Sequence, residues 1–528
     1  MHGNNRIGFE LSDKGTATLQ SFNPATAEAR PGQFKCSTKE EIEAAMTKAV
    51  HAFVSYSRTT PERRANFLDA IADEILNLGD ELVQVAMEES ALPEGRIVGE
   101  RGRTMGQLKL FASLLRDGAW VEATIDTAQP DREPMPKPDI RKMLRPLGPV
   151  VVFTASNFPL AFSTAGGDTA SALASGCSVI VKAHNSHLHT NELVSDAISK
   201  AAKKTDMPDG VFSSLAGEGF ELGTTLVRHP KTKAVAFTGS LAGGMALYKM
   251  ATERDEPIPV FAEMGSINPV IFLPEKLKAE TESLAKTYAG SITLGVGQFC
   301  TNPGLLIGLE SPELDKFCKT LGDEISASRP AVMLNEGIAK NFSKNKEISL
   351  AEKRVSLISS NNVETPSNGA NAAVARVSAS DFLCNPNLQH EVFGPYSLVV
   401  SCKDQSELDL VISALTGQLT ITFMGNENDF NSFENQILSA EKKTGRLIYN
   451  GVPTGVEVCA SMQHGGPFPA ATDSRFTSVG SDAIKRFARP VAFQNAPQFL
   501  LPEELKDKNS NGIWRNVDGN WTNLGIDA

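Results

Sequence analysis

Apolar residues recur at helical intervals through roughly the first hundred positions of the chain. Thr38-Lys39-Glu40-Glu41 has the spacing of a capping box, and Ile42, Ala45, Met46, Ala49 and Phe53 follow on one face. Thr60-Pro61 opens a second helix, with proline at the first helical position, Phe67, Ile71, Ile75 and Leu76 as its apolar face and Gly79 just past its end. A third helical pattern runs over 80 to 90. A fourth follows Pro93 and carries Arg101, Arg103, Gln107, Leu108 and Phe111. The pattern breaks over 121 to 146, where Pro130, Pro134, Pro136 and Pro138 interrupt any helix. That composition predicts an extended arm or edge hairpin, the kind of edge that pairs with another subunit.

From residue 148 the period changes. Short continuous apolar runs at 148 to 154, 177 to 182, 210 to 215, 234 to 238, 258 to 262 and 268 to 273 have strand length. Helical patterns occupy 164 to 175, 190 to 203, 221 to 228 and 243 to 251. The alternation predicts an α/β fold around a parallel sheet buried on both faces, whose strand-end loops bind ligands. Beyond it come a helix over 276 to 294, a strand over 305 to 308 and a helix over 312 to 326. The Asn-rich segment from residue 500, with Trp514 and Trp521, reads as a loosely packed tail.

At 528 residues the chain is long enough for two or three domains. A net charge of −11 argues against a general nucleic-acid or anionic-membrane surface. The seven cysteines are scattered and include no CxxC pair, so neither a disulfide framework nor a zinc site is suggested, and a reducing cytoplasm fits. The first fifteen residues lack the apolar core of a signal peptide, and no stretch offers the roughly 18 unbroken apolar residues of a spanning helix.

One of those cysteines has an unusual frame. Gly297-Gln298-Phe299-Cys300-Thr301-Asn302-Pro303-Gly304 sets Cys300 in a nearly uncharged, turn-prone loop after a helix. By itself Cys300 reads equally as a small core residue. Polar groups gather elsewhere in frames that packing does not require: Ser156-Asn157-Phe158-Pro159, Val181-Lys182, Phe237-Thr238-Gly239-Ser240, Glu263-Met264-Gly265-Ser266 and Glu391-Val392-Phe393-Gly394-Pro395. The first four fall at the ends of predicted parallel strands, so a nucleophile delivered there would meet an amide, an amine and a carboxylate.

In that order and at those spacings, the set resembles the aldehyde dehydrogenase superfamily over roughly residues 20 to 500. The resemblance implies that Cys300 adds to an aldehyde carbon, that Asn157 and the Cys300 N–H hold the oxyanion, and that Glu263 activates water against the resulting thioester. It implies NADP or NAD as cofactor. Lys182, Asn185, Glu391 and Phe393 would contact it, and Gly239, Ser240 and Gly244 would let a helix N-terminus approach the pyrophosphate. Many family members have Lys-Pro-Ser-Glu where this chain has Lys182-Ala183-His184-Asn185. Without the acid a 2′-phosphate is not repelled, so NADP should be tolerated, helped by a partly protonated histidine.

Two other patterns are decoys. Gly217 to Gly223 has one residue too many for a G-x-G-x-x-G turn. His184, His187 and His189 crowd together without an accompanying acid, and no metal is expected.

Further stretches, 99 to 112, 157 to 174 and Gln463-His464-Gly465-Gly466-Pro467-Phe468-Pro469, resemble α-ketoglutaric semialdehyde (2,5-dioxovalerate) dehydrogenases and NADP-dependent fatty aldehyde dehydrogenases. The first resemblance implies oxidation of 2,5-dioxopentanoate to 2-oxoglutarate, with Arg103 as the cation for the substrate carboxylate and Phe162 and His464 lining the tunnel. The second implies long-chain or other aliphatic aldehydes. A coenzyme A acyl-transferring relative would lack Glu263, and a silent binding protein would have no chemical reason to keep Cys300, Asn157, Lys182, Glu263 and Glu391 together.

The implied architecture is a Rossmann-type cofactor domain (1–120 and 147–261, with 456–484 returning to it) and an α/β catalytic domain (262–455). An oligomerisation arm (121–146 and 485–500) and the tail (501–528) complete it. The expected assembly is a cytoplasmic homo-oligomer, a dimer or dimer of dimers, without nucleic acid or membrane.

Overall fold

A computed structural model describes residues 1–361 and 363–526. The four N-terminal helices are Lys39–Tyr56, Pro61–Asn77, Gly79–Ser90 and Glu94–Asp117. Thr38 and Glu41 make the predicted reciprocal capping box. Phe67, Ile71 and Ile75 pack into one core with Leu108, Phe111 and Leu115, burying the helix pair Pro61–Asn77 and Glu94–Asp117 against each other. Leu76, expected on that face, instead lies 49% exposed, one residue round the helix from Ile75.

The first sheet runs in the order Val260–Glu263, Ala234–Thr238, Val150–Phe153, Val179–Lys182, Phe212–Leu215, Asn5–Ile7, Glu10–Ser12. Its first five strands are parallel, and the last two are joined antiparallel. Its register aligns Phe153 with Lys182 and Thr238 with Glu263, so the carboxyl ends of four strands form one edge. The near-continuous burial of Val150, Val151, Val179, Ile180, Val181, Val235 and Ala236 reflects helices on both faces.

A second, mostly parallel sheet runs Ser356–Ser360, Ala373–Ser378, Tyr396–Cys402, Leu305–Leu309, Val270–Phe272, Gln418–Met424, Thr444–Tyr449. It has separate cores on its two faces. After it the chain returns to the first sheet. Glu263 bridges Ala471, and the Met264 and Thr472 N–H groups donate to the Ala470 and Ala262 carbonyls. This return carries residues 464 to 478 past the end of the strand that bears Glu263.

The arm is a five-stranded sheet in the order Ala488–Gln494, Ile140–Pro146, Thr124–Asp126, Arg515–Val517, Asn520–Thr522. The C-terminal segment is therefore not the loose tail its composition suggests. Leu505 and Ile513 are buried, and the fully buried Arg515 donates to the carbonyls of Glu504, Lys506, Asp507 and Leu524. Its asparagines serve turns: Asn509 Nδ2 donates to the Ile513 and Asn523 carbonyls at 3.0 and 2.9 Å. Among the described residues no helix is long and apolar enough to cross a membrane.

Candidate active site

The two parallel sheets meet across a cleft with a cavity of about 1850 Å³, which reaches from Ser240 past Glu263 and Cys300 to Phe468. Cys300 sits in a turn held from below. Asn268 Nδ2 donates to the Cys300 and Asn302 carbonyls at 2.8 and 2.9 Å, and Asn302 Nδ2 donates to Gly394 O at 3.2 Å. Gly297 has φ +64, and a Cβ there would strike the Gly394–Pro395 backbone, so the turn needs glycine.

The sulfur of Cys300 lies 3.4 Å from His464 Nε2, and the same nitrogen lies 3.1 Å from Glu263 Oε2. Ser478 Oγ donates to that carboxylate oxygen at 2.8 Å, and Glu263 Oε1 is buried without a partner. His464 and Glu263 are only 1% and 4% exposed. Burial pushes the Cys300 thiol well above its ordinary range, and the charges of Glu263 and Glu391 add to this while Arg103 opposes it. For Glu263, burial acts upward, but the charge and hydrogen bond of His464, with hydrogen bonds from Ser478 and Cys300, hold the carboxyl below its usual range. A half-buried thiol that resists ionisation thus touches an imidazole that an ionised carboxylate holds in place, which is the arrangement of an assisted nucleophile.

Asn157, on the loop after Val150–Phe153, donates through Nδ2 to Gln298 O at 3.2 Å, so the loops carrying the amide and the sulfur meet directly. That loop is braced by two residues the sequence does not single out. Glu100 accepts from the Leu160 and Ala161 N–H groups at 2.9 and 3.0 Å, and the Arg96 guanidinium lies 4.4 and 4.8 Å from the Phe158 and Phe299 ring centroids.

The cofactor-side residues occupy the other end of the cleft. Lys182 ends its strand half-buried, with Nζ 3.4 Å from Asn185 Oδ1, and burial pushes its pKa down to about 8. It has no carboxylate partner among the described residues. Gly239 and Ser240 line the cavity, and Ser240 caps the helix Leu241–Thr252 by accepting from the Gly243 N–H at 3.2 Å. Glu391 and Phe393 line it too. Burial raises the Glu391 carboxyl to about 8, against a backbone hydrogen bond at Ser266, with the charge of Glu263 raising it further. A capped helix N-terminus and a half-buried carboxyl on one large cavity, with an uncompensated ammonium two residues from the lining His184, fit an anionic ligand that carries ribose hydroxyls.

The family model described as "Aldehyde dehydrogenase family" matches residues 11–466. The chain belongs to the aldehyde dehydrogenase family. Among curated members it is 49% identical over 516 residues to α-ketoglutaric semialdehyde dehydrogenase 2 of Azospirillum brasilense, covering 97% of this chain and 98% of the relative. It is 47% identical over 503 residues to α-ketoglutaric semialdehyde dehydrogenase of Acinetobacter baylyi, covering 95% of each. In fold it is similar to 1-pyrroline-5-carboxylate dehydrogenase from Thermus with bound NAD, at a TM-score of 0.77 and 22% identity, covering 93% of this chain and 92% of the other.

Within this aldehyde dehydrogenase three expectations change. For Gly244 the reason shifts: a Cβ there would meet the side chain of Met264, which lines the cavity, so its smallness serves the packing of helix on sheet. His184 is not a partial cation, because burial, His187 and Lys182 all push its pKa well below the ordinary histidine value. His464, expected as a tunnel wall, touches the nucleophile itself.

Phe162 lies 6.5 Å from His464 between ring centroids, and Arg103 lies over the Phe162 ring at 5.6 Å. These three therefore continue in line from Cys300. His187 and His189 are structural: His187 Nε2 pairs with Ala155 O, and His189 with Glu89, Pro31 O and Ser21. Ser478, Arg96 and Glu100 have no motif to announce them; only the Gly-rich frame of His464 points toward the return segment.

Proposed function

We propose that the enzyme oxidises 2,5-dioxopentanoate to 2-oxoglutarate with NAD or NADP. The observation that carries the chemistry is the convergence of Cys300, His464 and Glu263. The near full-length similarity to the two α-ketoglutaric semialdehyde dehydrogenases supports the substrate.

The Cys300 thiol gives its proton to the Glu263 carboxylate, with which it hydrogen-bonds, as sulfur bonds to the aldehyde carbon, while the His464 Nε2–H between sulfur and carboxylate steadies both; Glu263 passes that proton to solvent before deacylation. The oxyanion of the thiohemiacetal is held by the Asn157 amide, freed from Gln298 O, and by the Cys300 N–H. What a bound nicotinamide dinucleotide supplies is acceptance of the hydride from that carbon. Glu263 then takes a proton from water as the water oxygen bonds to the thioester carbon. The C–S bond breaks, the sulfur takes that proton from Glu263, and the acid departs as its carboxylate, its own proton going to solvent. Lys182, Asn185 and Glu391 hold the ribose hydroxyls, while Gly239 and the helix N-terminus at Ser240 receive the pyrophosphate. The absence of an acid after Lys182 admits a 2′-phosphate, so both dinucleotides bind.

The enzyme works in the cytoplasm as a homo-oligomer. The exposed edges of the arm sheet, Ala488–Gln494 and Asn520–Thr522, suit strand pairing between subunits. The deciding experiment compares kcat/KM for 2,5-dioxopentanoate, succinic semialdehyde and a long-chain aldehyde, with each dinucleotide. The dioxo acid should lead; a lead by the long-chain aldehyde would replace this assignment with fatty aldehyde oxidation.

A further inference from the structure

Arg446 lies in the edge strand Thr444–Tyr449 of the second sheet, and Arg103 on the helix Glu94–Asp117 beside the first. They approach from opposite sides of the cleft and reach the same loop. Arg446 donates through Nη2 to Pro453 O at 3.2 Å and through both Nη atoms to Gly455 O at 3.3 Å. Arg103 donates through Nη1 to the next carbonyl along, that of Val456.

Neither guanidinium has a carboxylate within ion-pair distance among the described residues. Among the buried arginines Arg486 is balanced by Asp168 at 2.8 Å and Arg141 by Asp139 at 2.9 Å, while Arg64 has only the Thr59 carbonyl; Arg103 and Arg446, both half-buried, differ from Arg64 in flanking the reactive sulfur. Arg515 has no such partner but is surrounded by four carbonyls. Arg103 keeps Nε and Nη2, and Arg446 keeps Nε, buried and without acceptors. Two cations converging in the interior with donors to spare are costly unless an anion joins them. Burial pushes both guanidinium pKa values down; nearness to Cys300 opposes this at both, and the charges of Glu100 and Glu457, beyond ion-pair distance, oppose it at Arg103.

We propose that Arg446 and Arg103 form a two-sided clamp for the carboxylate of the substrate, with the loop at 453–456 as its shared support. This rests on the reading of the enzyme as a semialdehyde-acid dehydrogenase and adds Arg446 as a specificity residue. Each guanidinium presents its spare N–H groups to the carboxylate while its remaining donors fix the loop. The clamp therefore orders the tunnel wall and selects an aldehyde with an acid at its far end.

The test uses two substrate pairs, 2,5-dioxopentanoate with pentanal and succinic semialdehyde with butanal, on the full-length enzyme and its Arg446→Gln, Arg103→Gln and double variants. Each single variant should lose about thirtyfold more kcat/KM for the acid than for its neutral counterpart, mostly in KM. The double variant should lose less than the product of the two, because both residues grip one group. Equal losses for acid and neutral aldehyde, or no loss for the acid in Arg446→Gln, overturn the clamp.

If Arg446→Gln does not fold, Arg446→Lys keeps the cation without the planar fork and should still cost the acid about tenfold more; equal loss again overturns it. A wild type that prefers succinic semialdehyde, with the preference over butanal erased in Arg446→Gln, keeps the clamp and removes 2,5-dioxopentanoate as substrate. A wild type that favours the acid in neither pair removes both.

Discussion

The two parallel sheets contribute to the site from opposite ends. From the first come Asn157, Lys182, Gly239 and Glu263, all at or just beyond the carboxyl ends of strands. From the second come Cys300, ahead of Leu305–Leu309, and Glu391, ahead of Tyr396–Cys402; both precede their strands. Ligand sites at carboxyl ends are the rule for open parallel sheets, and the first sheet follows it. The second instead offers the loops that enter its strands, so the cleft lies between a carboxyl edge and an amino edge. Most of the groups that bind and activate thus stand on one wall, while the group that becomes covalently bonded stands on the other together with Glu391, and chemistry requires the walls to meet.

That division can be broken from either side. The largest effect is expected from Cys300→Ala, which removes the second wall's nucleophile: aldehyde oxidation should fall by more than about 10³-fold while dinucleotide affinity, measured by fluorescence titration, stays near normal. Retained turnover would show that the covalent step is not on that wall. Glu263→Gln should separate the half-reactions, giving a burst of reduced cofactor and then steady turnover slowed about 10²- to 10³-fold. Rapid-mixing absorbance reads both phases, and steady turnover at the full rate would remove Glu263 from deacylation.

His464→Gln removes the imidazole that spans the walls. The expected loss is about 10- to 100-fold in kcat, with a slower burst whose pH dependence moves upward as the thiolate loses the N–H donor beside it. Gly265→Ala should push a Cβ into the Glu391 carboxylate and weaken dinucleotide binding about tenfold with a smaller effect on the burst.

The smallest effect concerns Lys182. Because burial has lowered its pKa to about 8, its charge is full below that value and lost above it. The Kd for NADP should therefore rise between pH 7 and 9, and more than the Kd for NAD, since the 2′-phosphate relies most on the ammonium; isothermal titration at the two pH values measures it. Equal slopes for both dinucleotides would move Lys182 away from the 2′ position.

Much of the first wall is legible in the sequence. The strands at 150 to 153, 179 to 182, 212 to 215 and 234 to 238 fall where mainly apolar runs predict them, because a strand buried on both faces excludes charge from its middle and admits polar groups only when small and hydrogen-bonded, as Ser213 and Ser214 are. Cys300, Glu263 and Asn157 stand out because glycine, proline and isolated polar groups bound short apolar runs there. Arg446 does not stand out, since an arginine in an edge strand is ordinary in sequence and becomes notable only when its counter-ion proves missing. The tail misleads because its asparagines look like the composition of a solvated segment, whereas Asn509 spends its amide on two carbonyls that close a buried turn.

The local pattern of the chain by itself determined the elements, the parallel sheet and the candidate nucleophile, because periodicity and turn chemistry act over a few residues. Tertiary structure alone decided that His464 meets the thiol, that Ser478 holds the carboxylate and that Gly244 is needed for packing against Met264. Those contacts join positions more than a hundred residues apart or depend on which way one helix face turns. They follow from the return of the chain to the edge of the first sheet, and no local pattern encodes which distant side chain will fill the space beside a buried sulfur.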